Sequence, residues 1–126
     1  MTESSNRTVD RETVENATNP ATGPGDVELT MVTMAFDAAD QGALGAVLSR
    51  YVVLSRREPG CRNIDMCVSA SDTRRFIIVE KWDNPEAQQR HFDGATMVAM
   101  ATACNGLLTK APQIELLEAI SAHDLA

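Results

Sequence analysis

The stretch Arg75-Phe76-Ile77-Ile78-Val79-Glu80-Lys81-Trp82, followed at once by Asp83-Asn84-Pro85-Glu86, decides the fold. Its first eight residues alternate. Phe76, Ile78, Glu80 and Trp82 point one way, and Ile77, Val79 and Lys81 the other, which is the period of a strand. The next four are a helix start. Asn84 offers an N-cap, Pro85 suits the first helical position, and Glu86 meets the positive end of the helix dipole.

Working backwards, residues 61–70 read as the strand before it, with Ile64, Met66 and Val68 on one side. Asn63, Asp65, Cys67 and Ser69 share the other side. The turn Ser71-Asp72-Thr73 joins the two strands into an antiparallel hairpin. Leu44, Val47, Leu48, Tyr51 and Leu54 recur at helical spacing after the capping residues Asp37 and Asp40. This helix is expected to run to about Arg57, where Glu58-Pro59-Gly60 ends it. Residues 27–36 read as the first strand, uncharged on both sides from Leu29 on and so expected to be covered on both faces.

Working forwards, the helix begun at Pro85 carries Ala87, His91 and Phe92, and Gly94 breaks it. A second helical piece spans 95–104 and stops near Asn105-Gly106. After a loop around Pro112, residues 114–120 form the fourth strand. The order is β-α-β-β-α-β, a split βαβ, ferredoxin-like α+β domain with a four-stranded antiparallel sheet. Helices cover one face of such a sheet. The other face carries apolar side chains on strands one, three and four, and a second copy is expected to cover it in a homodimer.

Residues 1–26 differ from the rest, ending in Asn19-Pro20-Ala21-Thr22-Gly23-Pro24-Gly25-Asp26 with almost no apolar residues before it. They read as a disordered tail, leaving 27–126 as the domain.

The chain has 126 residues, with 11 Lys+Arg against 18 Asp+Glu for a net charge of −7. That balance argues against nucleic acid as a partner, and 4% aromatic residues argue against a base-stacking platform. No apolar run is long enough for a membrane span, and no secretory leader is recognisable at the N-terminus. Cys61, Cys67 and Cys104 are an odd number, which fits reduced thiols and a cytoplasmic location. With no C-x-x-C and only two histidines, a metal site has no support, and no nucleotide-binding or hydrolase motif occurs.

Glu58-Pro59-Gly60-Cys61, the F-x-x-x-E-x-W pattern of Phe76, Glu80 and Trp82, then Pro85-Glu86-Ala87 and His91 resemble the antibiotic biosynthesis monooxygenase family over roughly 27–120. The resemblance implies a dimeric ferredoxin-like α/β barrel. It also implies a cofactor-free oxygenase acting on anthrones or quinols with molecular oxygen, or a haem-degrading protein. Where the anthrone-oxygenating branch has Asn this chain has Ile78. Met100 stands where the haem-degrading branch has its iron ligand, and Thr96 stands where a second His is common.

The candidate catalytic residues are His91, Trp82 and Tyr51. His91 is the one histidine within the helices and could serve as base or orienter for a phenolic substrate. Trp82 could wall a pocket for a flat aromatic ring, or simply fill the core at the strand end. Tyr51 could donate to a substrate oxygen, or be buried with its hydroxyl satisfied. Asn63 and Asp65 could line a cleft or face water. The methionines 31, 34, 66, 97 and 100 are expected to fill the core. The activity expected is monooxygenation of a small electron-rich aromatic without cofactor. The alternative is a non-catalytic dimeric module that binds an aromatic or lipophilic metabolite, with haem degradation third.

Overall fold

The computed structural model describes residues 29–122. The expected tail, residues 1–26, and the start of the domain at 27 lie outside them. The element order is β1 (Thr30–Asp37), α1 (Gln41–Ser55), β2 (Cys61–Val68), β3 (Arg75–Trp82), α2 (Pro85–Phe92), α3 (Ala95–Ala103) and β4 (Gln113–Glu118). The strands form one four-stranded antiparallel sheet in the order β2-β3-β1-β4. This is the α+β, split βαβ arrangement that the strand-then-helix pattern predicts, with the expected second helix in two pieces.

Thr30–Leu117 form one compact unit and contain everything described below. Leu29 and Glu118 onward belong to a second unit, within which the Ala119 N–H donates to the Leu29 carbonyl at 3.1 Å.

Register explains which side chains meet. β1 pairs with β3 from Thr30↔Trp82 to Asp37↔Arg75, and β2 pairs with β3 with an irregularity between Cys61 and Asn63. Val32, Glu80 and Ile64 therefore sit side by side on three strands, all facing inward and all buried. Phe36, Ile78 and Trp82 share that face and pack with Leu44, Leu48 and Tyr51 of α1.

Each helix starts for a local reason. The Asp40 carboxylate accepts from the Ala43 N–H at 3.0 Å, and the Asn84 side chain accepts from the Ala87 N–H at 2.8 Å with Pro85 next to it. Gly94 caps α3 without any side-chain bond. The first helix ends at Ser55, two residues short of the expected Arg57, because the Glu58 N–H folds back on the Ser55 carbonyl in the turn before Pro59.

Gly60 needs to be glycine twice over. Its φ is +84°, and a Cβ built there would stand 2.5 Å from the Cβ of Ala87. The Glu58-Pro59-Gly60 turn is thereby pressed against the first turn of α2.

In the single chain the outward sheet face is partly open. Met31, Thr33 and Ala35 of β1 are half-buried, and β4 is exposed along its whole length. Met31 consequently lies outside the core, whereas Met34 and Met100 are inside and Met66 and Met97 pack against it. Arginines do structural work. Arg75 pairs with Asp37 across the strands at 3.1 Å, Arg74 holds the Ala38 and Ala39 carbonyls, and Arg56 donates to the Ile64 carbonyl. Among the described residues no helix is long and apolar enough to cross a membrane.

Candidate active site: a buried acid–base chain

Four elements bring five polar or aromatic side chains to one place. Tyr51 comes from the inner face of α1 and Glu58 from the turn that follows it. Glu80 and Trp82 are two apart on β3, so they point to the same side. His91 lies one helical turn after Ala87 on α2, on the face that the Gly60 turn touches.

The contacts run in series. Glu58 Oε1 is 2.7 Å from His91 Nδ1, and His91 Nε2 is 2.7 Å from the Tyr51 hydroxyl. The Tyr51 hydroxyl donates to Glu80 Oε2. The other oxygen of that carboxylate, Oε1, accepts from Trp82 Nε1 at 2.9 Å. The Trp82 and His91 rings stack, with centroids 4.5 Å apart and planes 28° apart.

Burial makes these contacts strong. Trp82 is fully buried, Glu80 is 1% exposed, and Tyr51 and His91 are each 2% exposed. A carboxylate placed there is tolerable because both its oxygens accept hydrogen bonds. Glu58 alone reaches out, its side chain 25% exposed.

Donor arithmetic constrains the hydrogens. While the single Tyr51 O–H is given to Glu80, the tyrosine oxygen accepts from His91 and Nε2 carries a hydrogen. The hydrogen between Nδ1 and Glu58 then sits either on the ring, making an imidazolium, or on Glu58. Either way three hydrogens fill three contacts.

Burial, reinforced by the Glu80 charge and the hydrogen bond to it, pushes the Tyr51 hydroxyl far above its usual range. The nearby Ser55 hydroxyl acts the other way on Tyr51. Yet Ser55 is fully buried and its Oγ makes no hydrogen bond of proper geometry. Cys61 lies opposite Trp82 in the β2–β3 register. Its thiol is pushed up to about 11, first by burial and then by the charges of Glu80 and Glu58.

All three residues singled out from the sequence meet in this cluster. Sequence reasoning placed Glu80 on the buried face of its strand but gave it no role, although a carboxylate among Phe76, Ile78 and Trp82 was the available signal. It read Glu58 as a helix ending and as part of the family-like motif, and gave it no role in the site. Asn63 and Asp65 are exposed and bond each other at 3.1 Å, away from the cluster on the outward face. Among the described residues no three His, Cys, Asp or Glu side chains converge in a way that could hold a metal ion.

A cleft of about 390 Å³ opens between α3, β1 and β4, lined mainly by Phe36, Phe92, Met97, Met100, Cys104 and Ile114. Its walls are apolar, and Cys104 Sγ donates to Met100 Sδ at 3.6 Å. A second hollow, about 460 Å³, lies among Thr33, Arg75, Gln113 and Glu115. Tyr51, Trp82 and His91 line neither.

A split βαβ sheet backed by helices, with a chain of hydrogen-bonded acid–base side chains buried between them and an apolar cleft beside α3, defines a small α+β protein. The sequence model of the antibiotic biosynthesis monooxygenase family matches residues 29–103, and the chain belongs to that family. No curated protein matches the chain.

Solved structures share its fold. Rv0793 from Mycobacterium tuberculosis superposes with a TM-score of 0.66 at 23% identity, over 71% of this chain and 92% of that one. PA3566 from Pseudomonas aeruginosa gives 0.65 at 25% identity, over 77% and 98%. SnoaB from Streptomyces nogalater, a cofactor-independent oxygenase, gives 0.63 at 19% identity, over 74% and 93%.

Proposed function

We propose that this protein is a cofactor-independent monooxygenase for a small electron-rich aromatic of the quinol or anthrone type. The observation that carries the reading is the buried series Glu58–His91–Tyr51–Glu80 in a chain of the antibiotic biosynthesis monooxygenase family. The likeness to SnoaB supports the same reading.

Direct oxygenation needs two things from a protein. It must take a proton from a weakly acidic substrate, and it must shield the resulting anion from water so that it reduces oxygen. For an anthrone, the ring CH₂ becomes a carbonyl. One oxygen atom of O₂ stays on that carbon, and the other leaves as water with the two hydrogens. His91 acts as base or orienter, Tyr51 fixes the His91 ring through its hydroxyl while donating to Glu80, and Trp82 is the wall that holds His91 by stacking. The apolar cleft receives the flat ring, with Phe92, the neighbour of His91 in sequence, at its edge. Two copies pair through the outward sheet face, where Ile77, Val79, Ala35 and Thr33 lie half-buried.

The test is oxygen uptake by the purified protein against quinols, dihydroxynaphthalenes and anthrones, with His91→Ala alongside. Catalysed uptake that falls about 10²–10⁴-fold in the variant is expected. Equal turnover by both proteins removes His91 from the mechanism.

A second reading is a non-catalytic dimeric module that holds an aromatic or lipophilic metabolite. It is favoured by one observation, that His91, Tyr51 and Trp82 do not line the apolar cleft. A ligand retained in native mass spectrometry, with no oxygen uptake across the panel, selects it. Haem degradation is the third reading. Met100, the residue at the iron-ligand position, is buried and engaged with Cys104, and a missing Soret band on haem titration closes that option.

A further inference from the structure

We infer that Glu58 is the proton outlet of the buried cluster: hydrogens pass between solvent and Glu80 by way of Glu58, both ring nitrogens of His91 and the Tyr51 hydroxyl. Three observations carry this. The contacts are consecutive, with no gap longer than hydrogen-bond distance between Glu58 and Glu80. The side chains of His91 and Glu80 are each 1% exposed, so neither meets water directly. The side chain of Glu58 is 25% exposed and touches His91 on its other side.

The transfer balances without any heavy atom moving far. In one arrangement Glu58 carries a hydrogen, His91 carries one on Nε2, Tyr51 carries its own, and Glu80 is ionised. The Glu58 hydrogen moves to Nδ1, the Nε2 hydrogen to the tyrosine oxygen, and the tyrosine hydrogen to Glu80. Three hydrogens have each crossed one contact. Glu58 ends ionised, Glu80 ends neutral, and His91 is neutral before and after. Glu58 is recharged by water, and the reverse sequence exports a proton. No oxidant or reductant is involved.

The surroundings leave this route undisturbed. From β3, Trp82 donates to Glu80 and contributes no hydrogen the indole would release. From β2, the Cys61 thiol is held neutral by burial. Just after α1, the Arg56 guanidinium is occupied by the Ile64 carbonyl. Tyr51 keeps its hydrogen strongly, so it hands one on only as it receives another, which suits a concerted shift. Glu58 acts through His91 and is a positioning residue. Its service in turnover rests on the oxygenase reading; the transfer itself needs no substrate, so the two can fail separately.

The experiment is nuclear magnetic resonance of the full ¹⁵N-labelled chain, measuring exchange of the His91 ring N–H with water against exchange of the backbone amides of β3. In the wild-type chain the ring hydrogens should exchange at least about tenfold faster than the Ile78 and Glu80 amides, because the relay needs no opening of the fold. Glu58→Gln keeps an acceptor for Nδ1 but cannot carry a proton. It should slow ring exchange by about tenfold or more while leaving the amides unchanged. Ring exchange at the same rate as the amides in the wild-type chain, or unslowed exchange in a folded Glu58→Gln variant, overturns the proposal. Should the variant not fold, the wild-type comparison decides alone.

Discussion

The Tyr51 hydroxyl lies 2.7 Å from Nε2 of His91 while donating its own hydrogen to Glu80, so one oxygen joins a helix to a helix and both to the sheet. Tyr51 is also the chain's one tyrosine, and Trp82 its one tryptophan. Both chromophores therefore report on the cluster and on nothing else in the folded chain.

Alkaline titration should expose this. Tyr51 has its hydroxyl raised far above the ordinary value of 10.0. Tyrosinate absorbance is expected to stay flat through that value and to appear together with unfolding. The sign follows from linkage. Above the unfolded value the unfolded chain binds fewer protons than the native one, so stability is full below about pH 10 and falls as the pH rises further. A smooth ionisation near 10 in a folded chain would contradict the burial of Tyr51.

Glu80 should divide its variants by what they leave behind. Glu80→Ala strands the Tyr51 hydroxyl and the Trp82 N–H and leaves the His91–Glu58 pair without its inner partner. A loss of about 3–5 kcal/mol is expected from urea unfolding. Glu80→Gln retains an acceptor and the volume, and should lose less than half as much. Equal losses would mean that shape, not hydrogen bonding, sets the cost.

Gly60→Ala tests how the Glu58 turn is seated. The positive φ and the 2.5 Å approach to Ala87 both oppose a methyl group. A loss of about 1–3 kcal/mol is expected. Trp82 fluorescence should change with it, because moving the turn off α2 loosens His91 in its stack. A variant as stable as the wild type, with unchanged emission, would separate the turn from the cluster.

The three thiols should label in order. Cys67 is exposed, Cys61 is half-buried with its thiol raised to about 11, and Cys104 is buried with its thiol also raised. Iodoacetamide near pH 8 should modify Cys67 first, and mass spectrometry locates the adduct. For Cys61 the native value exceeds the unfolded one of 9.0, so its contribution to stability is intact below pH 9 and declines between there and about 11. First modification at Cys61 would mean that the β2 end of the sheet is open.

Much of the fold could be read from short-range patterns. Period two in β3 put Phe76, Ile78, Glu80 and Trp82 on one face, and Asn84-Pro85-Glu86 opened α2 where it was expected. The pairing of distant elements could not be read that way. Tyr51 and His91 are 40 residues apart, and Glu58 and His91 are 33 apart. Their meeting depends on how α1 and α2 lie over the sheet, which no local pattern encodes. Glu58 was hidden for a related reason, because a glutamate before Pro-Gly is fully explained by a helix ending.

The break at Gly94 has a consequence for how such a protein changes over generations. The proton-handling groups hang from α1, β3, the Glu58 turn and the His91 face of α2. The cleft is lined mainly by α3, the loop after it and β4, and meets α2 only at its last residue, Phe92. Because the chain starts a new helix at Gly94, Met97, Val98 and Ala101 line the cleft from a different helix than the one that carries His91. On the oxygenase reading proposed above, chemistry and ligand choice are carried on different pieces of the chain. Under that reading, descendants can trade one guest for another while the acid–base groups stay as they were.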